Sequence, residues 1–319
     1  MSDMEKAIRR KGTIKGSSAL VLTAFIWGFG FVVMRSGMDY VGPFIFNGFR
    51  FALGCLTLIP FLALQTFRNK RLGAEASEDA PRPDRLYIRG GLFSGLILFL
   101  GMSFSQAGLV FTPASKAGFL TAMYIVLTPI VGVFLKKKTH WNTWLSVLIG
   151  GTGLYFLSIT GKLTFAPGDG IVLIGSIFWS VHVFVIDYYV NRTDVLRFNI
   201  VQFATCALLS LIASPFLDGV FAHGADLSGL IKAIPNLLFV GIASSGLAFS
   251  LQGFGQKHVP PTAAALIMSF EAVFGMLGGV LLLGETLSTR ELFGCFLMFC
   301  AVILAQLPVK SRHGDGPPV

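Results

Sequence analysis

The feature that most constrains this chain is a repeat that returns upside down. Ala24 to Arg35 (AFIWGFGFVVMR) comes back at a shift of 152 as Ser176 to Asp187 (SIFWSVHVFVID), which aligns Trp27 with Trp179. Further on, Lys136 to Ser158 is echoed by Gly284 to Gln306 at a shift of 148. Each unit between these anchors holds five apolar segments. An odd number of membrane crossings, repeated, must re-enter in the opposite orientation. Inverted repeats of this kind are a construction principle of secondary transporters.

Hydrophobic residues make up 54% of the 319-residue chain and charged ones only 13%. Soluble domains sit near 25% charged, so the expected solvent is lipid. A crossing helix needs about 20 apolar residues. Ten segments qualify, at about 18–36, 43–65, 89–111, 115–135, 141–160, 168–188, 197–215, 231–254, 261–283 and 287–307. Pro43, Pro113, Pro167, Pro235 and Pro260-Pro261 mark helix starts and loops, where a missing N–H does least harm. The fold class that follows is an all-α membrane protein of ten transmembrane helices, two inverted five-helix repeats over 17–160 and 166–307. Residues 1–16, 66–88 and 308–319 read as solvated tails and loop.

The net charge of +9 does not point to nucleic acid, because of where it sits. With the N-terminus inside, the inner segments hold nineteen lysines and arginines, among them Arg9, Arg10, Arg68, Arg71, Lys136 and Lys137; the outer ones hold five. That excess puts both termini in the cytoplasm, and most of it lies in the first repeat, which therefore sets the orientation. Met1 to Ser17 is polar and no cleavage site follows it, so the first span reads as an anchor. Cys55, Cys206, Cys295 and Cys300 all fall inside spans and read as small packing residues.

No GxxxxGK[ST] phosphate loop, HExxH, CxxC or GxSxG occurs in the chain. ATP hydrolysis and the common enzyme chemistries therefore lack their signatures, and no cofactor or metal is expected. What remains is a small set of polar groups at membrane depth, where each is a functional candidate by default.

Glu271 is the only acidic residue deep in an apolar stretch. It reads either as a proton or substrate carrier or as a hydrogen-bonding support, since Ala264, Gly275 and Gly278 share its face and let another helix approach. His182 lies one turn beyond Trp179, so both project from one helix face. An imidazole titrates near neutral pH and suits a proton-linked step; Trp179 and its mate Trp27 offer stacking surfaces or plain packing. Gln106 and Gln252 form a second matched pair, whose amides need neighbours, water or substrate. Tyr124 precedes Pro129 by about one turn, where a kink reads equally as a hinge or site wall and as simple packing. Arg50 sits about 10 Å into the second span; it could attract an anion, but snorkelling to the outer headgroups is the favoured reading. Gly91-x-x-x-Gly95 and Gly275-x-x-x-Gly279 are weakly specific close-packing motifs.

These residues bring a family into view. The order of ten spans, Trp27-Gly28, Thr112-Pro-Ala-Ser-Lys-Ala-Gly-Phe-Leu-Thr-Ala-Met-Tyr124 with Thr128-Pro129, Glu271-Ala272 and Leu283-Gly-Glu285 resemble the EamA family of the drug/metabolite transporter (DMT) superfamily. The resemblance covers about residues 17 to 307 and implies an inner-membrane carrier, usually bacterial, working by alternating access. It implies a central cavity among helices 1, 3, 4, 6, 8 and 9, with Trp27, Gln106, Tyr124, Trp179, His182, Gln252 and Glu271 as substrate-binding candidates. Glu271-Ala272 stands where relatives commonly carry Glu-Pro, so the proline kink is expected to be missing. The first span holds no acid, unlike that of the four-helix multidrug relatives.

The expectation is a multi-pass carrier in a bacterial inner membrane, monomeric, with a small organic substrate and the lipid bilayer as its partners and protons as a candidate coupling ion. Amino acids or related metabolites lead as cargo, in export, because that role is common among relatives; uptake or exchange of a vitamin, nucleotide-like or drug substrate without proton coupling is the alternative. A channel would need a continuous polar pore and an embedded enzyme a catalytic pair.

Overall fold

A chain in hydrocarbon must satisfy every backbone N–H and C=O internally, which leaves helices and closed barrels. The computed structural model describes residues 3–71, 85–111, 114–137, 140–159, 167–221, 227–283 and 288–307. Thr112-Pro113, Lys138, Lys162, Gly284-Glu285, the greater part of the 66–88 loop and the 308–319 tail lie outside these residues.

Regular structure among the described residues is helical throughout. The helices are α1 (Asp3–Gly37), α2 (Pro43–Arg71), α3 (Leu86–Phe111), α4 (Ala114–Ala122), α5 (Tyr124–Phe134), α6 (Trp141–Ser158) and α7 (Pro167–Val190). Then come α8 (Val195–Phe221), α9 (Leu227–Phe239), a π-helical stretch (Val240–Ala248), α10 (Phe249–Gln256), α11 (Pro261–Met268), α12 (Glu271–Leu283) and α13 (Thr289–Gln306). Among the described residues, eight stretches are long and apolar enough to cross a membrane; three of them combine shorter elements, at Ala117–Phe134, Ser228–Gln256 and Pro261–Gly278. The helices α6 and α13, 18 residues each, are not among the eight and pack on one another, with Gly153 against Gly294 and Met298.

Glycines let the rods approach closely, and their contacts give the directions. Along α3 and α7, Gly90 meets Tyr189, Gly101 meets Trp179 and Gly108 meets Val172, so this pair is antiparallel. Along α3 and α8, Gly91 meets Val201 and Gly95 meets Thr205, a parallel pair. The helix α8 runs antiparallel to α2, with Gly48 on Leu211 and Gln65 bonded to Asp194. In turn α2 runs parallel to the π-helical stretch, where Gly241 meets Leu53 and Gly246 meets Thr57. That rod is antiparallel to α1, with Gly16 on Gly255, Thr23 bonded to Ala248 and Asn236 bonded to Val33. Followed round the bundle, these pairs make α1 and α7 run in opposite directions, and likewise α2 and α8, and α3 and α9–α10.

Two rods are interrupted. The break between α4 and α5 falls at Met123, not at Pro129, which lies inside α5. The break between α11 and α12 falls at Ser269-Phe270, although no proline is present there. This corrects the expectation that the kink is missing. Ser269 donates its hydroxyl to the carbonyl of Leu266 at 2.8 Å, a back-bond that bends helices, and Phe270 and Ala272 close tighter three-residue turns onto Ile267 and Ser269.

The end of α5 is also informative. Lys136 adopts φ 56°, the left-handed conformation that usually requires glycine. Around it Lys136 N bonds Val133 O and Lys137 N bonds Gly132 O, the paired bonds of a Schellman cap. At the start of α2 the cap is borrowed from another helix: Asp218 of α8 accepts from the N–H groups of Phe44 and Ile45 at 2.8 and 2.9 Å.

Candidate functional site

A cavity lies where α1, α2, α3, α7, the π-helical stretch and α10 meet the two broken rods. Its volume, about 80 Å³, is several times the roughly 10–15 Å³ that one water needs. Much of the wall is thioether and ring: Met34, Met38, Met102, Met268, Trp27, Trp179 and Phe249 line it. Such a wall adapts to ligand shape.

Trp27, Gln106, Tyr124, Trp179, Gln252 and Glu271 all line this cavity. Each tryptophan is locked by its polar edge, so its ring faces the space at a fixed angle. Trp27 donates its indole N–H to the carbonyl of Ser244, and Trp179 donates to the hydroxyl of Ser105, both at 3.1 Å. Donor and acceptor therefore swap halves of the molecule in the two pairs.

His182 sits one layer behind. It is fully buried, edge-on to Trp179 at 5.8 Å and to Phe249 at 6.1 Å between ring centres, and it does not line the cavity. Its Nε2 lies 3.3 Å from the Gln202 carbonyl oxygen, which also accepts from Ser94 at 2.8 Å. The Gln202 amide then donates to Asn199 at 2.7 Å. The helix face shared with Trp179 was legible from spacing; that it turns away from the cavity was not.

The close approach read around Glu271 is present. The carbonyl of Glu271, Phe274 and the backbone N of Gly275 crowd Gly28 of α1, and Phe29 packs on Gly278. The Glu271 side chain makes no hydrogen bond or ion pair with other described residues. Several cavity groups share that state among the described residues: both amide atoms of Gln106, the Tyr124 hydroxyl and the Gln252 carbonyl oxygen are buried with no protein partner. Buried polar atoms are nearly always paired in folded proteins; four of the fifteen unpaired ones among the described residues belong to residues that line this cavity, where a bound molecule can reach them.

Arg50 departs most from the sequence reading. It is 1% exposed and lines the cavity instead of snorkelling outwards. Its Nε donates to the Ser245 hydroxyl and its Nη2 to the Ser244 hydroxyl, both at 2.9 Å, while Nη1 rests on the Met34 sulfur at 2.8 Å. Both serines belong to the π-helical stretch, an element that is rare and frequent at functional sites. The signal available beforehand was the general one that intramembrane cations face the bundle interior. Ser244 and the cavity methionines carried no sequence signal of their own.

The profile of the EamA-like transporter family matches residues 14–159 and 166–307. An uncharacterised transporter of Archaeoglobus fulgidus is 31% identical over 291 residues, covering 91% of this chain and 85% of its own. The uncharacterised inner membrane transporter YedA of Escherichia coli K12 is 26% identical over 294 residues, covering 91% and 90%. In fold, a crystal structure of a protein 19% identical in sequence superposes with a TM-score of 0.69 over 93% of this chain and 98% of that one.

Proposed function

The chain belongs to the EamA-like transporter family of the DMT superfamily, and on that premise we propose that it is a secondary carrier for a small organic metabolite. Its ten spans form two inverted repeats, 17–160 and 166–307, that alternate access to the central cavity, with both termini in the cytoplasm of a bacterial cell. The opposed directions of α1 and α7, α2 and α8, and α3 and α9–α10 support the inversion. The two half-helix starts at Tyr124 and Glu271 support a midplane site, since discontinuous helices commonly build one in transporters.

The observation that carries the reading is the set of unpartnered buried polar atoms of Gln106, Tyr124 and Gln252 at one cavity. Such groups favour a specific polar ligand, and each pairing lost costs about 1–3 kcal/mol. Trp27, Gln106, Tyr124, Trp179, Gln252 and Glu271 would contact the substrate, and His182 would act through Trp179. Amino acids or related metabolites are the leading cargo, in export, with the protein a monomer. Saturable counterflow of labelled amino acids in proteoliposomes is the expected result; flux that rises linearly without saturation would replace the carrier by a channel.

A further inference from the structure

Burying a guanidinium inside a membrane protein is costly unless it is paired. Arg50 has no carboxylate partner among the described residues. Its acceptors are two serine hydroxyls at 2.9 Å and the sulfurs of Met34 and Met102 at 2.8 and 3.7 Å, and its charge lies 5.1 Å from the Phe51 ring centre. Thioether sulfur is a weak acceptor. Nε is therefore committed to Ser245 and one Nη2 hydrogen to Ser244. The remaining edge of the fork, Nη1 with the second Nη2 hydrogen, has nothing stronger than sulfur against it. That edge matches the two oxygens of a carboxylate.

Resting on the carrier reading above, we propose that Arg50 is the anion anchor of the cavity and that the cargo is a monocarboxylate with a largely apolar remainder. The serines of the π-helical stretch hold the fork by its other edge, so the cation keeps its orientation when cargo leaves. The apolar remainder lies along Met102, Trp27 and Phe249, which line the same space. Glu271 marks the far end of the space. Its carbonyl touches α1 at Gly28 while Arg50 touches α1 at Met34, six residues or about 9 Å further along the helix. A cargo long enough to reach Glu271 meets a carboxyl group there, which can hydrogen-bond a polar group at that end.

The test is thermal melting of the purified, detergent-solubilised full chain with hexanoate, 3-phenylpropanoate and L-leucine, each beside its carboxamide, and with sodium chloride alone. We expect the carboxylates to raise the melting temperature saturably while the carboxamides and chloride leave it unchanged. Arg50→Met removes the response, and Arg50→Lys, which keeps charge but not the fork, raises the half-maximal concentration at least tenfold. Equal stabilisation by the carboxamides, an equal effect of chloride, no response to any of the three acids, or a full response in folded Arg50→Met overturns the proposal. If Arg50→Met does not fold, Arg50→Lys decides, and an unchanged half-maximal concentration overturns it. Counterflow of the same acids separates the two readings: saturable stabilisation without counterflow removes the carrier and leaves the anchor, and counterflow of acids and carboxamides alike does the reverse.

Discussion

Tyr124 and Glu271 occupy equivalent places in the two halves: each is the first residue of the second segment of a broken rod, and both line the cavity. They stand 147 positions apart, close to the shifts that relate the repeats. One half places a phenol where the other places a carboxylic acid, so the cavity has a symmetric frame with an asymmetric chemical complement.

If the acid couples transport to protons, Glu271→Gln should abolish uptake driven by a pH gradient while substrate counterflow persists, because exchange needs no net proton movement. Tyr124→Phe should leave the gradient response intact and weaken substrate affinity by about tenfold, the loss of one hydrogen bond of roughly 1–1.5 kcal/mol. Normal gradient-driven uptake in both Glu271→Gln and His182→Ala would end the coupling idea.

Gly28 is the tightest test of how α1 meets α12. A Cβ there would stand 2.6 Å from Phe274 Cβ and 2.7 Å from the Glu271 carbonyl and the Gly275 nitrogen. Two of these three are backbone and cannot swing aside. Gly28→Ala should lower stability by about 1–3 kcal/mol, and Gly28→Val by more, read as melting temperature in detergent. Gly118 has nothing within 4 Å of such a Cβ, so Gly118→Ala is the control and should not destabilise.

Lys136 carries the strain of a left-handed residue with a side chain. Lys136→Gly should relieve on the order of 1 kcal/mol, partly offset by the greater freedom of glycine in the unfolded chain. A branched Lys136→Val should destabilise clearly. Comparing the two melting temperatures tests the cap directly; a stabilising valine would contradict the Schellman geometry.

Reporter fusions after residues 75, 138 and 310 should all read cytoplasmic, as the charge bias requires. An external signal at any one of them would break the inverted arrangement.

Much of the frame was legible because length and hydropathy act over whole segments. The matched tryptophans and glutamines could be read because a repeat brings equal positions to equal places, and both pairs line the cavity. What escaped the sequence depends on backbone detail. The break at Ser269-Phe270 rests on one hydroxyl back-bond and short turns, which leave no proline to read. The inward turn of Arg50 depends on acceptors from Ser244 and Ser245, nearly 200 residues away in the chain. The side on which His182 falls is set by how α7 rolls against α8 and α10, and spacing within one helix does not contain that angle.

The π-helical stretch also bears on how this protein tolerates insertion and deletion. An α-helix turns about 100° per residue, 3.6 to the turn, so losing one residue from an ordinary rod swings everything beyond it to the wrong face. Between Val240 and Ala248 the rod already closes its bonds across a longer loop of chain, so a one-residue deletion could be absorbed by tightening back to α geometry. The rod would survive such a change in length. The alignment of Ser244 and Ser245 with Arg50 would not, and the guanidinium would lose its backing while the bundle around it kept its shape.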